Sequence, residues 1–347
     1  MTAMSHMRAA VLVAPKRFEL QSRPIPHPEP DEVLIKIERV GICGTDLHIF
    51  HGHYAADKLP LVPGHEFVGC VHQNGANAKR FRAGQRVVVD INVGCGHCYW
   101  CRRNEILSCE AVQQIGISRD GAFCEYLAVP ERPAIPVPHQ MDGAVAALTE
   151  PVACVVRAAR KAKMGLANSV LILGAGPIGN LHVQLMRLLG AAPIIAFDLS
   201  LERCQMAKAA GADAVTHDPA KLHELVYAMT DGRGADFVIE SVGASSLYKE
   251  AFNLIRKGGH IAFFGITGPN ETVPVDIVNT ILREDSLKGS VAGMGEDMHD
   301  ALTLLAHGRF KTDAFTRATF PLEEIQEAFD SFAARSGDLK TQILINP

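Results

Sequence analysis

Apolar positions along this chain follow two regimes that meet near residue 150. Before it, short aliphatic runs such as "VLIKIERV" (33–40), "RVVVDI" (86–91) and "FCEYLAV" (123–129) are broken up by proline and glycine. Runs of that length between turn residues predict the strands of a small barrel rather than strand–helix repeats. From residue 169 the pattern changes. The stretch "SVLILGAGPIGNLHVQLMRLLGAAPIIAFD" (169–198) opens as a strand, turns at three glycines, takes up helical spacing and closes in a second strand ending at Asp198. "DAVTH" (213–217), "ADFVIES" (235–241), "GHIAFFGI" (259–266) and "LKGSVAG" (287–293) read as four more buried strands, each separated from the next by helix-like spacing. Six strands alternating with helices predict an α/β, doubly wound parallel sheet. "PVACVVRAARKAKMG" (151–165) reads as a helix connecting the two regimes, while "EEIQEAFDSFAAR" (323–335) and "KTQILIN" (340–346) read as a helix and a strand beyond the sheet. "RPIPHPEP" (23–30) is an extended proline-rich connection, and neither repeats nor low-complexity segments are evident.

Length and composition narrow the classes. At 347 residues there is room for two domains with separate cores. A 48% hydrophobic and 21% charged composition is that of a globular protein, with no apolar run near the roughly 18 residues that cross a bilayer. "MTAMSHMRAAVLVAPKRF" lacks the basic, apolar and small-residue regions of a signal peptide, so a cytoplasmic address and no membrane partner are expected. The formal charge is −4 and basic residues are scattered, which argues against nucleic acid and for a small-molecule ligand.

Four of nine cysteines fall in "CGHCYWCRRNEILSC" (95–109). Cys95, Cys98, Cys101 and Cys109 are spaced for thiolate coordination in a reducing compartment, and four thiolates close a tetrahedral, structural zinc site. Bacterial ferredoxin spacing instead needs a three-residue last gap followed by proline, whereas here seven residues precede Cys109-Glu110. Four unrelated buried thiols would leave the crowding unexplained.

A second set of ligand types is dispersed. "GICGTDLHIF" (41–50) carries Cys43, Thr45, Asp46 and His48, "VPGHEFVG" (62–69) carries His65 and Glu66, and "LTEPVAC" (148–154) carries Glu150. Singly, each has an ordinary explanation: a small buried thiol, a core imidazole, solvated carboxylates. The glycine motif is more specific. Gly174, Gly176 and Gly179, with Pro177 and Ile178 between them, follow a strand and open a helix, and Asp198 lies 24 positions after the first glycine. This is the context in which such a turn binds a dinucleotide pyrophosphate. Asp198 would hold the adenosine ribose and repel a 2′-phosphate, which favours NAD over NADP. Ligands of doubly wound sheets bind beyond the carboxyl ends of the strands, so Phe264, Gly265 and Ile266 are expected near the nicotinamide, with Ser290, Val291 and Ala292 beside them.

Taken together, the thiolate cluster, the CGTDLH and GHE segments and the glycine turn resemble the zinc-dependent medium-chain alcohol dehydrogenase family, in its sorbitol (polyol) and L-threonine dehydrogenase branch. The resemblance covers essentially the whole chain. It implies a GroES-like β-barrel catalytic domain over 1–155 carrying the structural zinc lobe, a Rossmann NAD-binding domain over 156–290, and a segment 291–347 returning to the first domain. It places the active site in the cleft between domains. Cys43 and His65 are the implied ligands of a catalytic zinc that leaves one position for substrate oxygen. Glu150 stands where many alcohol dehydrogenases have a second cysteine, as in sorbitol dehydrogenases; Glu66 is ranked as the completing ligand, with Glu150 direct or through water. Neighbours on a regular strand face opposite ways, so His65 and Glu66 share an ion only if the backbone bends, which Gly64 permits. A carboxylate in place of a thiolate makes the shell harder and suits a hydroxylated substrate. Asp46 is expected to accept the free N–H of His65. Thr45 and His48 resemble the family's proton relay, and Arg203 lies where relatives place a basic residue beside the adenosine.

The implied cofactors are NAD and two zinc ions per chain. The implied assembly is a homo-oligomer, four chains favoured over two. The implied reaction is hydride transfer from a secondary alcohol, a polyol or sugar alcohol, to NAD; the alternative is an L-threonine 3-dehydrogenase or another hydroxy-compound dehydrogenase. The polar residues with which sorbitol dehydrogenases hold their substrate are replaced by Ile49, Ala292 and Gly293. A zinc-stapled nucleotide sensor without turnover would have no use for the open ligand set, and zinc-free quinone reductases would lack both.

Overall fold

The computed structural model describes residues 5–268, 271–332 and 338–346. The chain divides into two compact units: one holds residues to Ala153, Gly293–Gly308 and the stretch from Thr312 onward, the other Cys154–Ala292 with Arg309–Lys311.

The first unit is built around the strand Glu32–Gly41. It pairs antiparallel along its length with Glu66–Asn74. Its other edge is shared, residues 32–36 taking Tyr126–Pro130 and residues 39–41 taking Thr341–Leu344. Ala318–Pro321, Arg86–Val89 and Ala134–Pro136 complete the seven-stranded sheet, and His6–Ala14 forms a hairpin with Arg17–Pro24. Two register shifts in the central pairing, between Leu34 and Ile35 and between Ile37 and Arg39, curve the sheet. Leu12, Ile35, Ile37, Phe123 and Ile343 fill its core. The strand Thr341–Leu344 lies inside although half of it is polar, with Thr341, Gln342 and Ile343 all buried.

The second unit is a six-stranded parallel sheet. Its spatial order is Ala214–Thr216, Ile194–Phe197, Val170–Leu173, Ala235–Glu240, Ile255–Phe263 and Ser286–Gly289. The order reverses beside Val170–Leu173, the strand that leads into the glycine turn, which is the topological switch point of a Rossmann sheet. Every residue of the two strands 170–173 and 194–197 is buried, which is why they read as unbroken apolar runs.

Several element ends differ from the sequence reading. The fifth strand starts at Ile255 and stops at Phe263, and the sixth ends at Gly289, so Ser290, Val291 and Ala292 are loop residues. Ala292 at φ +55 has left strand geometry altogether. The connecting helix is Thr149–Ala162, terminated by Lys163 at φ +55. Near the end of the chain, helix spans only Ile325–Asp330 after a 3-10 turn Leu322–Glu324, and residues 333–335 of that expectation lie outside the described ones.

His182, in the helix Pro177–Leu188, is fully enclosed with no hydrogen-bond partner for either ring nitrogen among the described residues. Its ring stands edge-on to Phe264 at 5.1 Å. Burial pushes its pKa down to about 3 from an ordinary 6.5. The unfolded chain therefore takes up a proton that the folded chain refuses, and stability held above pH 6.5 is lost as the pH falls toward 3, by up to about 1.4 kcal/mol per pH unit. Urea unfolding from neutral pH to about pH 4 should show the wild type losing stability faster than His182→Leu; parallel losses would refute this.

Candidate active site

The dispersed ligand types come together in the first unit. The central strand ends at Gly41, and Cys43 stands at the N-terminal cap of the short helix Gly44–Phe50. Asp46 is fully buried. Its Oδ2 accepts the Cys43 amide at 2.9 Å and its Oδ1 the Gly64 amide at 3.2 Å, so one carboxylate ties the loop bearing the thiol to the loop bearing the imidazole. Gly64 bends the backbone at φ +95, in a place where a Cβ would meet the Phe123 ring at 2.9 Å. His65 consequently precedes the strand that starts at Glu66, and the side chains of the two neighbours reach the same point. The ligand atoms of Cys43, His65 and Glu66 all lie within 4.8 Å of one another.

His65 Nδ1 is 3.2 Å from Asp46 Oδ1, but the alignment expected of a hydrogen bond is missing. Burial disfavours an imidazolium here; the negative charges of Asp46 and Cys43 outweigh it and hold the His65 pKa well above the ordinary value. A thiolate, an imidazole and a carboxylate gathered in a cation-favouring enclosure make a donor set that fits zinc.

A residue that sequence reasoning missed stands beside this set. Lys340 is buried and donates to both oxygens of the fully buried Glu66, at 2.7 and 2.5 Å, and to the Ile42 carbonyl at 3.2 Å. Burial works to lower its pKa; attraction to Glu66, Cys43 and Glu150 prevails and raises it. Gly41 leaves room for the carboxylate, since a Cβ there would fall 2.3 Å from Glu66 Oε2. Glu150, buried in the first turn of Thr149–Ala162, belongs to this neighbourhood through Lys340 and is outside the group whose ligand atoms already converge. Of the two arrangements expected for Glu150, direct or through water, the second accords with its place outside the converged group. The only signal for Lys340 was a cation opening a strand-like run.

The cysteine cluster is local. Cys95, Cys98, Cys101 and Cys109 bring their sulfurs within 4.8 Å of one another, and the Cys95 and Cys101 sulfurs are 4.0 Å apart, close to the roughly 3.8 Å edge of a zinc–thiolate tetrahedron. Backbone amides of Cys98 and Cys101 approach the sulfurs of Cys95 and Cys98 at 3.4 Å. The Cys95 pKa is pushed down to about 6, first by the His97 and then by the Cys98 backbone amide.

The second unit holds the nucleotide candidates. Gly176 caps the helix Pro177–Leu188, with Pro177 at its first position. A Cβ on Gly179 would collide with the Gly174 carbonyl at 1.8 Å, so the helix packs on the turn only as glycine, while around Gly176 space is open to 3.9 Å. Asp198 Oδ2 accepts the Ala175 amide and Oδ1 the Ser200 amide, both at 2.9 Å, and Arg203 stands 3.8 Å away. Gly174, Asp198, Ser200, Arg203 and His223 help line a cavity of about 760 Å³. At the end of the fifth strand the amides of Phe264 and Gly265 both donate to the Glu240 carbonyl at 3.0 Å, and Ile266 is half exposed. Ser290 is buried with an unpartnered hydroxyl among the described residues, and Val291 is exposed.

Residues 29–139 match the family described as the alcohol dehydrogenase GroES-like domain, and residues 177–307 that described as zinc-binding dehydrogenase. The chain is 32% identical, over 96% of its length and 97% of the relative's, to an L-threonine 3-dehydrogenase from Mesorhizobium japonicum. It is 33% identical to a D-arabitol-phosphate dehydrogenase from Enterococcus avium, over 93% and 92% of the two chains. The chain belongs to the zinc-dependent medium-chain alcohol dehydrogenases. This dehydrogenase is thus an oxidoreductase of the polyol and threonine dehydrogenase branch. A structure from Sinorhizobium meliloti, described as a zinc-binding dehydrogenase bound to NADP, matches it with a TM-score of 0.91 at 32% identity, covering 98% of this chain and 100% of that one.

Two outcomes follow from the buried ion pair and the sulfur cluster of the dehydrogenase. Lys340→Met strands the Glu66 carboxylate and should cost about 3–5 kcal/mol in urea unfolding, part of which Glu66→Gln restores in the double variant; a single variant of wild-type stability would refute the pairing. Cys98→Ser should lower bound zinc by one ion per chain in elemental analysis and lower the melting temperature, because structural zinc binding is coupled to folding.

Proposed function

We propose that this dehydrogenase oxidises a secondary hydroxyl of a polyol or sugar alcohol, with NAD as hydride acceptor and two zinc ions per chain, one catalytic and one structural. The observation that carries the reading is the convergence of Cys43, His65 and Glu66 on one point. Zinc held there supplies the positive charge that acidifies a hydroxyl, and the nicotinamide supplies the hydride acceptor. Cys43 and His65 would be the constant ligands. Glu66 would share its carboxylate between the ion and Lys340, with Glu150 close behind. Asp46 ties the two loops together and, 3.2 Å from His65 Nδ1, would orient that ring once its N–H turned into line. Thr45, half-buried, and His48, exposed, would pass the hydroxyl proton to solvent. The His48 pKa is lowered by partial burial and then by His53, so near neutral pH the ring offers a lone pair to that proton.

Gly174, Gly176, Pro177, Ile178 and Gly179 would seat the pyrophosphate, Asp198 the ribose, and Phe264 to Ile266 with Ser290 to Ala292 the nicotinamide. The NADP bound by the Sinorhizobium relative makes the choice of nucleotide a matter for test; Asp198, held by two amides, supports NAD. Of the substrate-side positions, Gly293 lies against the Ala153 backbone, where a Cβ would come within 2.3 Å, so no side chain from it can grip a polyol. That departure, with the Mesorhizobium relative, favours threonine oxidation as the second reading. A cytoplasmic homo-oligomer of four chains completes the proposal, and light scattering tests the assembly.

Reduction of NAD or NADP with a panel of polyols, polyol phosphates and L-threonine, followed by nicotinamide absorbance, decides among these readings. Turnover is expected with a polyol and with NAD at least about tenfold more efficient than NADP, since like charges cost several kcal/mol. Threonine as the only substrate would establish the second reading, and no turnover with any alcohol would overturn both. Cys43→Ala should abolish turnover while leaving thermal unfolding near wild type; an active variant would refute the catalytic ligand set.

A further inference from the structure

Three imidazoles gather at the C-terminal end of the helix Gly44–Phe50, and two of them, His51 and His53, have no part in the reaction proposed above. The helix end fixes their arrangement. The Gly52 amide donates to the Ile49 carbonyl and the His53 amide to the His48 carbonyl, each at 2.9 Å, with Gly52 at φ +75. This is a Schellman termination, whose longer bond lays the residue after the glycine over the third-last residue of the helix, where an apolar contact usually forms. Here both positions carry histidine. The His48 and His53 ring centres are 6.5 Å apart, and His51 stacks on His53 at 5.7 Å with 30° between the planes. All three residues are exposed.

Partial burial, and after it the surrounding positive charge, lowers the proton affinity of two of them: His53 acts on His48, and Lys16, His53 and His48 act on His51. Their nitrogens therefore present lone pairs near neutral pH. The three do not yet converge as Cys43, His65 and Glu66 do. Two imidazoles bound tetrahedrally at about 2.0–2.1 Å hold their ring centres about 5 Å apart, however, a modest rotation for exposed side chains that change rotamer in picoseconds to nanoseconds.

We propose that His48, His51 and His53 form a third cation site, separate from the Cys43 set and from the cysteine cluster, that takes a borderline divalent transition metal such as Zn²⁺ or Ni²⁺. Neutral imidazole is the ligand type these ions favour. Lys16 opposes the ion and keeps its affinity modest. A bound ion occupies the His48 lone pair and so blocks that exit for the hydroxyl proton; this second part rests on the relay role proposed above.

Calorimetric titration of the zinc-loaded enzyme with Ni²⁺ should show a single ion bound per chain beyond the resident zinc, with none of that zinc released. The double variant His51→Asn/His53→Asn keeps His48, has its turnover read relative to its own metal-free value, and should bind Ni²⁺ at least about tenfold more weakly. Wild-type turnover should fall along the binding curve and that of the double variant should not. Equal binding by the two proteins, or no binding by the wild type, overturns the site. Binding that depends on His51 and His53 but leaves wild-type turnover untouched upholds the site and overturns the relay role of His48.

Discussion

A carboxylate enclosed in a protein interior needs a partner, and in the first unit that requirement governs much of the architecture. Glu66 is removed from water completely, and the cost of several kcal/mol for such a charge is offset only by a counter-charge at bonding distance. Lys340 provides it from 274 residues away in sequence. Because Lys340 immediately precedes the strand Thr341–Leu344, the end of the chain has to pair with the central strand Glu32–Gly41 for the two charges to meet. The pair also sets the terms on which Glu66 can serve an ion at Cys43 and His65, since both of its oxygens already receive the lysine ammonium.

The two candidate metal-ligand sets are opposite solutions to the same chemical problem. The sulfurs of residues 95–109 converge through one short stretch of backbone, with 3-10 turns at Cys101–Arg103 and Ile106–Ser108. All four sulfurs come from residues 95–109 alone. Cys43, His65, Glu66 and Lys340 come instead from a helix start, a bent loop, a strand start and the residue just before the strand Thr341–Leu344. Such a site exists only when the curved sheet is complete, which couples its chemistry to the stability of the whole unit.

That contrast explains what the sequence disclosed. The cysteine spacing, the glycine turn and the six buried strands were legible because each is a local pattern: fixed intervals, a turn that only glycine permits, and continuous apolar runs enforced by burial on both faces. The bend at Gly64 could be foreseen for the same reason. Lys340 could not, because a lysine at a strand's mouth is normally a solvated charge and only long-range pairing buries it. Strand ends were read too far, as at Gly293, since apolar residues continue into the loop after hydrogen bonding has stopped at Gly289. The isolation of His182 inside its helix packing was equally invisible, because helical spacing gives a residue's face and not what it meets there.

Asp46 carries one more implication. With one oxygen given to the Cys43 amide and the other to the Gly64 amide, the helix start and the bent loop lose most of their independent motion. The entropy of arranging these side chains is then largely spent during folding, so that an ion taken up there would meet a prepared cage instead of having to assemble one. Selectivity in such a rigid cage follows ion size and donor preference more than raw affinity.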